Sequence, residues 1–173
     1  MLRPGPDVLH IEQVGYGHPD AMHLIDEVQA EYVLRYGGPD VTPLDPLMFE
    51  PPTGSFFVGY LPVGPAGEEV LRPIASGAWR SHDDVEVFGT RRTAEVKRMY
   101  VAPAAQRRGL ARRMLAHLEE TAATAGAEAM ILETGTAQPE AIALYGSSGY
   151  VAIPTFGYYK DEPSNRCFGK RLR

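Results

Sequence analysis

The sequence predicts a mixed α/β domain, and three patterns along the chain support this class. Apolar residues recur at every fourth position from Leu110 to Ala122, as on the buried face of a helix. Residues 94–101 place their side chains alternately, with Glu95, Lys97, Met99 and Val101 on one side, as in a strand. Helical and strand patterns alternate along the chain without a repeat or a linker, which favours one mixed domain.

The first half of the chain is expected to contain a strand, helical structure and a hairpin. Residues 8–14 form a strand, and residues 19–36 form one or two helices that end before Gly37. Residues 39–54 hold five prolines and are expected to form a loop with at most a short helical turn. The hairpin strands are predicted at residues 55–61 and 70–80.

The second half alternates strands and helices. The strand at residues 94–101 ends at Pro103, and a helix follows from Leu110 to about Gly126. Pro139 suits the first position of another helix, which Gly146 and Gly149 end. The remaining predicted strands are residues 129–133, 150–153 and 165–172.

Length and composition limit the class of protein. The 173 residues fit one domain spanning residues 1–173, and the 44% apolar content is enough for a hydrophobic core. Polar residues interrupt the chain soon after Met1, so we expect no signal peptide. No segment approaches the roughly 20 apolar residues that cross a bilayer, so we expect a cytoplasmic protein without a membrane partner.

Metal and disulfide chemistry is not indicated. Cys167 is the only cysteine, which excludes an intramolecular disulfide and a multi-cysteine zinc site. The five histidines show no ligand spacing of the H-E-x-x-H kind. We therefore expect no metal.

Positive charge is concentrated in one segment of an otherwise acidic chain. The net charge is −5, yet residues 91–113 contain eight of the seventeen basic residues and a single acid, Glu95. Such a local field suits a small polyanion better than a nucleic acid, which usually needs a basic surface across the domain. A solvated basic face is the alternative that charge alone leaves open.

Residues 101–111 suggest what the polyanion is. A strand ends, a turn rich in small and basic residues follows, and a helix begins with its first-turn N–H groups unpaired. Those amides and the helix dipole attract anions, and Gly109 lets a phosphate approach the backbone. A pyrophosphate suits this arrangement. The Walker loop ends in G-K-[ST], whereas Gly109 is followed here by Leu110-Ala111, so the segment does not match that loop. It does not match the dinucleotide fingerprint either, because two of the three glycines are missing.

Two motifs resemble those of the GNAT superfamily of acetyl-CoA-dependent N-acetyltransferases. Gln106-Arg107-Arg108-Gly109-Leu110-Ala111 resembles the acyl-CoA signature [QR]-x-x-G-x-[GA]. The segment from Ala141 to Tyr150 resembles the second signature, A-x-x-L-Y-x-x-x-G-[FY]. The resemblance covers residues 55–172. It implies a mostly antiparallel central sheet of six to seven strands flanked by about four helices, with a splayed parallel strand pair that holds CoA.

The resemblance also implies a set of cofactor contacts. In the family, backbone amides of the signature loop hold the CoA pyrophosphate, and the pantetheine arm pairs with the preceding strand. Gln138 stands where the family often has an asparagine that contacts the cofactor. The implied acetyl-CoA residues are Met99, Tyr100, Val101, Gln106, Arg107, Arg108, Gly109, Leu110, Ala111, Arg112 and Gln138.

Acetyl transfer to an amine needs a neutral nucleophile, a polarised carbonyl and a proton for the leaving thiolate. Tyr145 matches the family tyrosine that protonates the CoA sulfur. Glu95 falls where histone-type members keep a catalytic glutamate. Glu133 and water are the alternative bases.

The acceptor is expected to be a primary amine of a small molecule or peptide. The acidic loop of Asp83, Asp84 and Glu86 lies before the cofactor strand, near the expected substrate mouth. Aromatic residues expected at that mouth are Tyr32, Tyr36, Trp79 and Tyr158. A non-catalytic acyl-CoA-binding module and a nucleic-acid-binding domain are the competing hypotheses, the second disfavoured by the net charge of −5. A homodimer is left open.

Overall fold

Seven strands form one sheet in the computed structural model, which describes residues 8–172. The strand order is β1-β2-β3-β4-β5-β7-β6, and only the β4–β5 pair is parallel. The expected mostly antiparallel sheet with one parallel pair is confirmed. The strands are β1 His10–Val14, β2 Gly54–Val63, β3 Val70–Ser81, β4 Thr93–Val101, β5 Ala129–Gly135, β6 Val151–Ala152 and β7 Asn165–Arg171.

Three α-helices accompany the sheet within the described residues: α1 Pro19–Tyr36, α2 Leu110–Thr124 and α3 Pro139–Ser147. Two short 3-10 turns, Pro46–Phe49 and Pro103–Ala105, complete the helical structure. The resemblance implied about four helices. The proline-rich segment after α1 forms only a 3-10 turn, because proline lacks the N–H that a longer helix needs. None of these helices is both long and apolar enough to span a bilayer.

Residues 19–36, for which the sequence predicted one or two helices, form a single uninterrupted helix, α1. Pro19 occupies its first turn, and the His18 side chain caps it by accepting a hydrogen bond from the Asp20 amide at 3.1 Å. Gly37 ends it in the left-handed conformation, with a φ of 81°, and donates to the Val33 carbonyl. This end places the segment after Gly37 beside the sheet.

The other large helix, α2, packs on the opposite face of the sheet. Its predicted apolar stripe is buried, including Leu110, Met114 and Leu118. The helix packs tightly over Gly77 of β3, where an added Cβ would lie 2.8 Å from Met114 Cγ. Gly77 interrupts the strand pattern in the sequence. The structure explains its presence, because a side chain at this position would collide with Met114 of α2.

A β-bulge interrupts the alternation of side chains along β4. Lys97 pairs with Ala78 and Tyr100 pairs with Ser76, so Gly77 alone faces two residues of β4. Arg98 adopts a φ of 53° at this point. Beyond the bulge, Met99 and Val101 pack in the same core as Val96, and the prediction that they share a face with Glu95 is wrong.

The parallel pair β4–β5 holds together over a short distance only. Its register contains three pairs, Thr93 with Ala129, Ala94 with Met130 and Glu95 with Ile131. Both strands continue well past this point. They therefore diverge toward their carboxyl ends, which is the splay that the resemblance implied.

Candidate active site

A cavity of about 390 Å³ opens where β4 and β5 diverge. This volume lies within the range of about 300–1,000 Å³ usual for small-molecule pockets. Its walls come from the end of α1, the segment after it, β4, β5, the start of α3 and the segment before β7. The lining residues are Tyr32, Tyr36, Gly38, Pro39, Asp40, Val41, Val96, Lys97, Glu133, Thr134, Gly135, Gln138, Tyr159, Glu162, Ser164 and Asn165.

Glu133 of β5 is the acid in this cavity whose titration is displaced toward neutrality. Burial raises its pKa from 4.5 to about 7, against the opposing effect of the Lys97 charge. The nearby carboxylates Glu95 and Asp40 raise it further, and a hydrogen bond from Asn165 lowers it. A carboxyl group with a pKa near 7 can accept a proton at neutral pH and release it again.

Lys97 of β4 lies between two carboxylates. Its Nζ is 3.4 Å from Glu95 Oε1 and 3.9 Å from Glu133 Oε1. The Lys97 side chain is only 8% exposed, so water screens these interactions weakly. Because Lys97 is shared with Glu95, Glu133 has no cation of its own.

The predicted base Glu95 is buried within an ion-pair cluster. Its carboxylate lies 2.9 Å from Arg80 Nη2 and 3.5 Å from His82 Nε2, and its side chain is 2% exposed. Burial lowers the pKa of His82, against the opposing effect of Glu95. Glu95 is not among the cavity-lining residues, whereas Glu133 is. Of the two acids that the sequence offers as bases, only Glu133, the second candidate, therefore lines the cavity.

Asp40, which follows the end of α1, is held by several donors. Its Oδ1 accepts hydrogen bonds from the Thr42 amide at 2.9 Å, the Thr42 hydroxyl at 2.6 Å and the Tyr159 hydroxyl at 3.1 Å. Arg98 Nη1 lies 3.6 Å from its Oδ2. Burial pushes the pKa of Asp40 upward, but the Thr42 hydrogen bonds and the charges of Lys97 and Arg98 outweigh it, and the pKa lies below its usual value.

Tyrosines form much of the cavity wall. Burial raises the pKa of Tyr32 to about 12, so its phenol stays protonated at neutral pH. The Tyr36 hydroxyl donates to Gln138 Oε1 at 3.1 Å. It also packs directly on the Gly135 backbone, where a Cβ would collide with it. Gln138, a predicted cofactor residue, thus lines the cavity with its amide oxygen already bound to Tyr36.

The predicted acid Tyr145 lies behind this wall. Its ring packs against Tyr150 with a centroid distance of 5.7 Å, and the residue is only 7% exposed. Burial, followed by the electrostatic influence of Tyr32, raises the pKa of Tyr145 above its usual value. Its phenol therefore carries a proton at neutral pH, and Tyr145, like Glu95, is not among the cavity-lining residues.

The phosphate loop, residues 106–111, joins the end of β4 to α2. Gly109 precedes the helix in the left-handed conformation with a φ of 75°, and no side chain caps the helix. Gln106 Nε2 donates to the Val101 carbonyl at 3.0 Å, which anchors the loop to β4. An added Cβ at Gly109 would meet no atom within 4 Å, so the space beside the amides is open.

Two further predicted cofactor elements adjoin this loop. Arg112 donates to the Ser147 hydroxyl at 2.8 Å and to the Ser148 hydroxyl at 3.0 Å, which joins α2 to the end of α3. On β4, Tyr100 and Val101 pair with β3 along one edge. The described part of β5 does not pair with them along the other edge, so that backbone edge faces the splay.

The structure brings together only part of the predicted acceptor mouth. Tyr32 and Tyr36 line the cavity as expected. The prediction for Trp79 is wrong: its Nε1 donates to Thr121 of α2 at 3.0 Å, on the other face of the sheet. Tyr158 is 59% exposed, and its neighbour Tyr159 lines the cavity instead.

The acids of the cavity also differ from the expected ones. The predicted loop of Asp83, Asp84 and Glu86 does not line the cavity. Its acids are Asp40, Glu133 and Glu162. Asp40 and Glu162 are the acids that sequence reasoning missed, and the one signal for Asp40 is its position directly after the helix-ending Gly37-Gly38-Pro39.

Residues 23–150 match the family model of the acetyltransferase (GNAT) family. The chain belongs to this family. Residues 8–172 contain no group of three or more histidine, cysteine, aspartate or glutamate side chains arranged to hold a metal ion. In this GNAT chain, acidic residues and tyrosines line the cavity between the diverging strands β4 and β5.

Relatives of this GNAT chain include a curated protein and many solved structures. An IAA acetyltransferase of Azospirillum brasilense is 44% identical over 78 residues, which cover 45% of this chain and 51% of that protein. The chain thus spans about half the length of this curated relative. A proposed acyl-CoA N-acyltransferase of Klebsiella pneumoniae is 25% identical with a TM-score of 0.71, and the match covers 96% of this chain and 99% of that one.

A third relative was solved with a cofactor. It is a proposed acetyltransferase of Salmonella typhimurium in complex with acetyl-CoA. It shares 16% identity and a TM-score of 0.57 with this chain, and the match covers 96% of this chain and 95% of the Salmonella chain. At this identity the likeness supports the fold.

Proposed function

We propose that this GNAT chain is an N-acetyltransferase that moves the acetyl group of acetyl-CoA to a primary amine of a small molecule or peptide. The observation that carries the proposal is the cavity at the splay, with Glu133 and its pKa of about 7 in the wall. Solved relatives of the same fold, such as the Salmonella protein, bind acetyl-CoA.

The phosphate loop would hold the pyrophosphate of acetyl-CoA. The first-turn amides of α2, from Gly109 to Ala111, have no carbonyl one turn earlier to bond, and they suit phosphate oxygens. Arg107, Arg108 and Arg112 add positive charge. The open edge of β4 at Met99, Tyr100 and Val101 would pair with the amide groups of the pantetheine arm. Gln138 would contact the arm from the opposite side of the splay.

Glu133 would remove the proton of the incoming ammonium. The neutral amine then forms a bond to the thioester carbonyl carbon, and the carbon–sulfur bond breaks. Tyr145 would give its proton to the departing sulfur, and the second proton of the amine nitrogen, lost as the amide forms, would return to the Tyr145 phenolate through solvent. Glu133 would then release its proton to solvent. Glu95, the base favoured by the sequence, would instead hold Lys97 in place, since its carboxylate lies between the cations Arg80 and Lys97 and beside the His82 ring.

Thiol release from acetyl-CoA, measured across a panel of primary amines, tests this proposal. Glu133→Gln should lower kcat at neutral pH by about 100-fold, the usual contribution of a general base. Glu162→Gln changes an exposed acid of the same cavity and is the matched control, with an expected rate close to that of the wild type. Acetyl-CoA binding without thiol release for any amine would show a binding module and contradict the proposed activity.

A further inference from the structure

The charges in the cavity are already paired within the protein. Asp40 accepts three hydrogen bonds and lies beside Arg98. Lys97 is shared between the Glu95 and Glu133 carboxylates. A second charge on an acceptor would have to displace one of these partners or lose its hydration without compensation, and both are costly.

Glu162 is the remaining charged residue of the cavity wall. It is exposed to solvent at the cavity mouth. An exposed carboxylate of this kind contributes little to the binding of a cation, because water and salt screen it. It does disfavour an anion, so the mouth offers no favourable partner for an acceptor carboxylate.

The rest of the wall offers apolar and aromatic surface. Tyr32, Tyr36 and Tyr159 present rings to the cavity. At the mouth, Val41 is 59% exposed and Tyr36 is 40% exposed, which are large values for apolar side chains. Exposed apolar surface at the entrance of a cavity is a usual sign of a ligand that covers it.

We propose that the acceptor is a primary monoamine with an uncharged, apolar body, of the arylalkylamine class. This inference rests on the proposed acetyl transfer. The single amine of the acceptor meets Glu133, and its ring packs among the tyrosines and against Val41. The acetyl group and the thioester end share the 390 Å³ cavity, which favours a body of a single ring.

The test compares kcat/KM for three amines, with each value calculated from the concentration of the neutral amine. They are 2-phenylethylamine, phenylalanine, which adds a carboxylate to the same skeleton, and 1,4-diaminobutane, which replaces the ring by a second amine. The second and third amines each carry one more charged group than the first. We expect kcat/KM for 2-phenylethylamine to exceed the other two by about tenfold or more, because an unpaired charge is costly to bury.

A pair of variants tests the location of the acceptor. Val41→Asp replaces apolar surface by a carboxylate and should lower kcat/KM for 2-phenylethylamine, with little change for 1,4-diaminobutane because water and salt screen an exposed carboxylate. Leu47→Asp is the matched control, since Leu47 is 69% exposed on the 3-10 turn and lies outside the cavity wall. It should leave both values unchanged.

The outcomes separate the two proposals. A higher kcat/KM for phenylalanine or 1,4-diaminobutane overturns the apolar-monoamine inference and leaves acetyl transfer standing. An unchanged kcat/KM for 2-phenylethylamine in Val41→Asp also overturns it. Thiol release that no amine stimulates overturns the proposed acetyl transfer, and the acceptor class with it.

Discussion

Glu133 should make the fold less stable as the pH rises, and glutamine at this position should remove the effect. Burial raises the pKa of Glu133 from 4.5 to about 7, so the folded chain holds the proton more tightly than the unfolded chain. The resulting stabilisation is fully present below pH 4.5 and is lost as the pH rises through about 7. At 1.36 kcal/mol per pKa unit, this difference corresponds to about 3 kcal/mol, which solvent in the cavity reduces to about 1–3 kcal/mol.

Denaturant unfolding at acidic and alkaline pH measures this quantity. Wild type should lose about 1–3 kcal/mol more free energy of unfolding than Glu133→Gln between the two conditions. Glu162→Gln should follow the wild type, because Glu162 is exposed. Wild type and Glu133→Gln with the same pH dependence would refute the reasoning, since Glu133 would then titrate alike in the folded and unfolded chains.

Three other predictions concern the reaction and the cofactor. Lys97→Met removes the cation 3.9 Å from Glu133, so the acidic limb of the kcat profile should move up by about one pH unit or more; an unmoved limb counts against this pairing. Gly109→Glu should abolish acetyl-CoA binding in calorimetry, whereas Gly109→Ala, which adds no charge, should retain measurable binding; wild-type affinity in Gly109→Glu would show that the loop is misassigned. Tyr145→Phe should lower kcat by about 100-fold with an unchanged Kd for acetyl-CoA, and a wild-type rate would exclude Tyr145 as the acid.

The sequence predicts most of the secondary structure because the patterns are local. The apolar stripe of α2 and the glycine at position 109 are visible in the chain, and the structure begins the helix directly after Gly109, where the pattern puts it. The end of α1 at Gly37 follows from the same kind of signal. These features depend on neighbouring residues only.

The bulge at Arg98 and the choice of base could not be predicted in this way. The bulge exists because one residue of β3 faces two residues of β4, which is a property of the pairing. Glu95 and Glu133 are both acids at strand positions in the sequence. Only the packing shows that two cations and the His82 ring surround Glu95, while Glu133 shares one of these cations, Lys97, and faces the cavity.

The short β4–β5 pairing divides the sheet into two blocks. Strands β1 to β4 form one block and strands β5 to β7 the other, and only three residue pairs join them within the sheet. A molecule whose phosphates bind beside one block and whose arm lies along the open edge would bridge the two blocks and stabilise the sheet. Amides flanking this seam should therefore exchange hydrogen faster than the central β2–β3 amides, and acetyl-CoA should slow them more than any others.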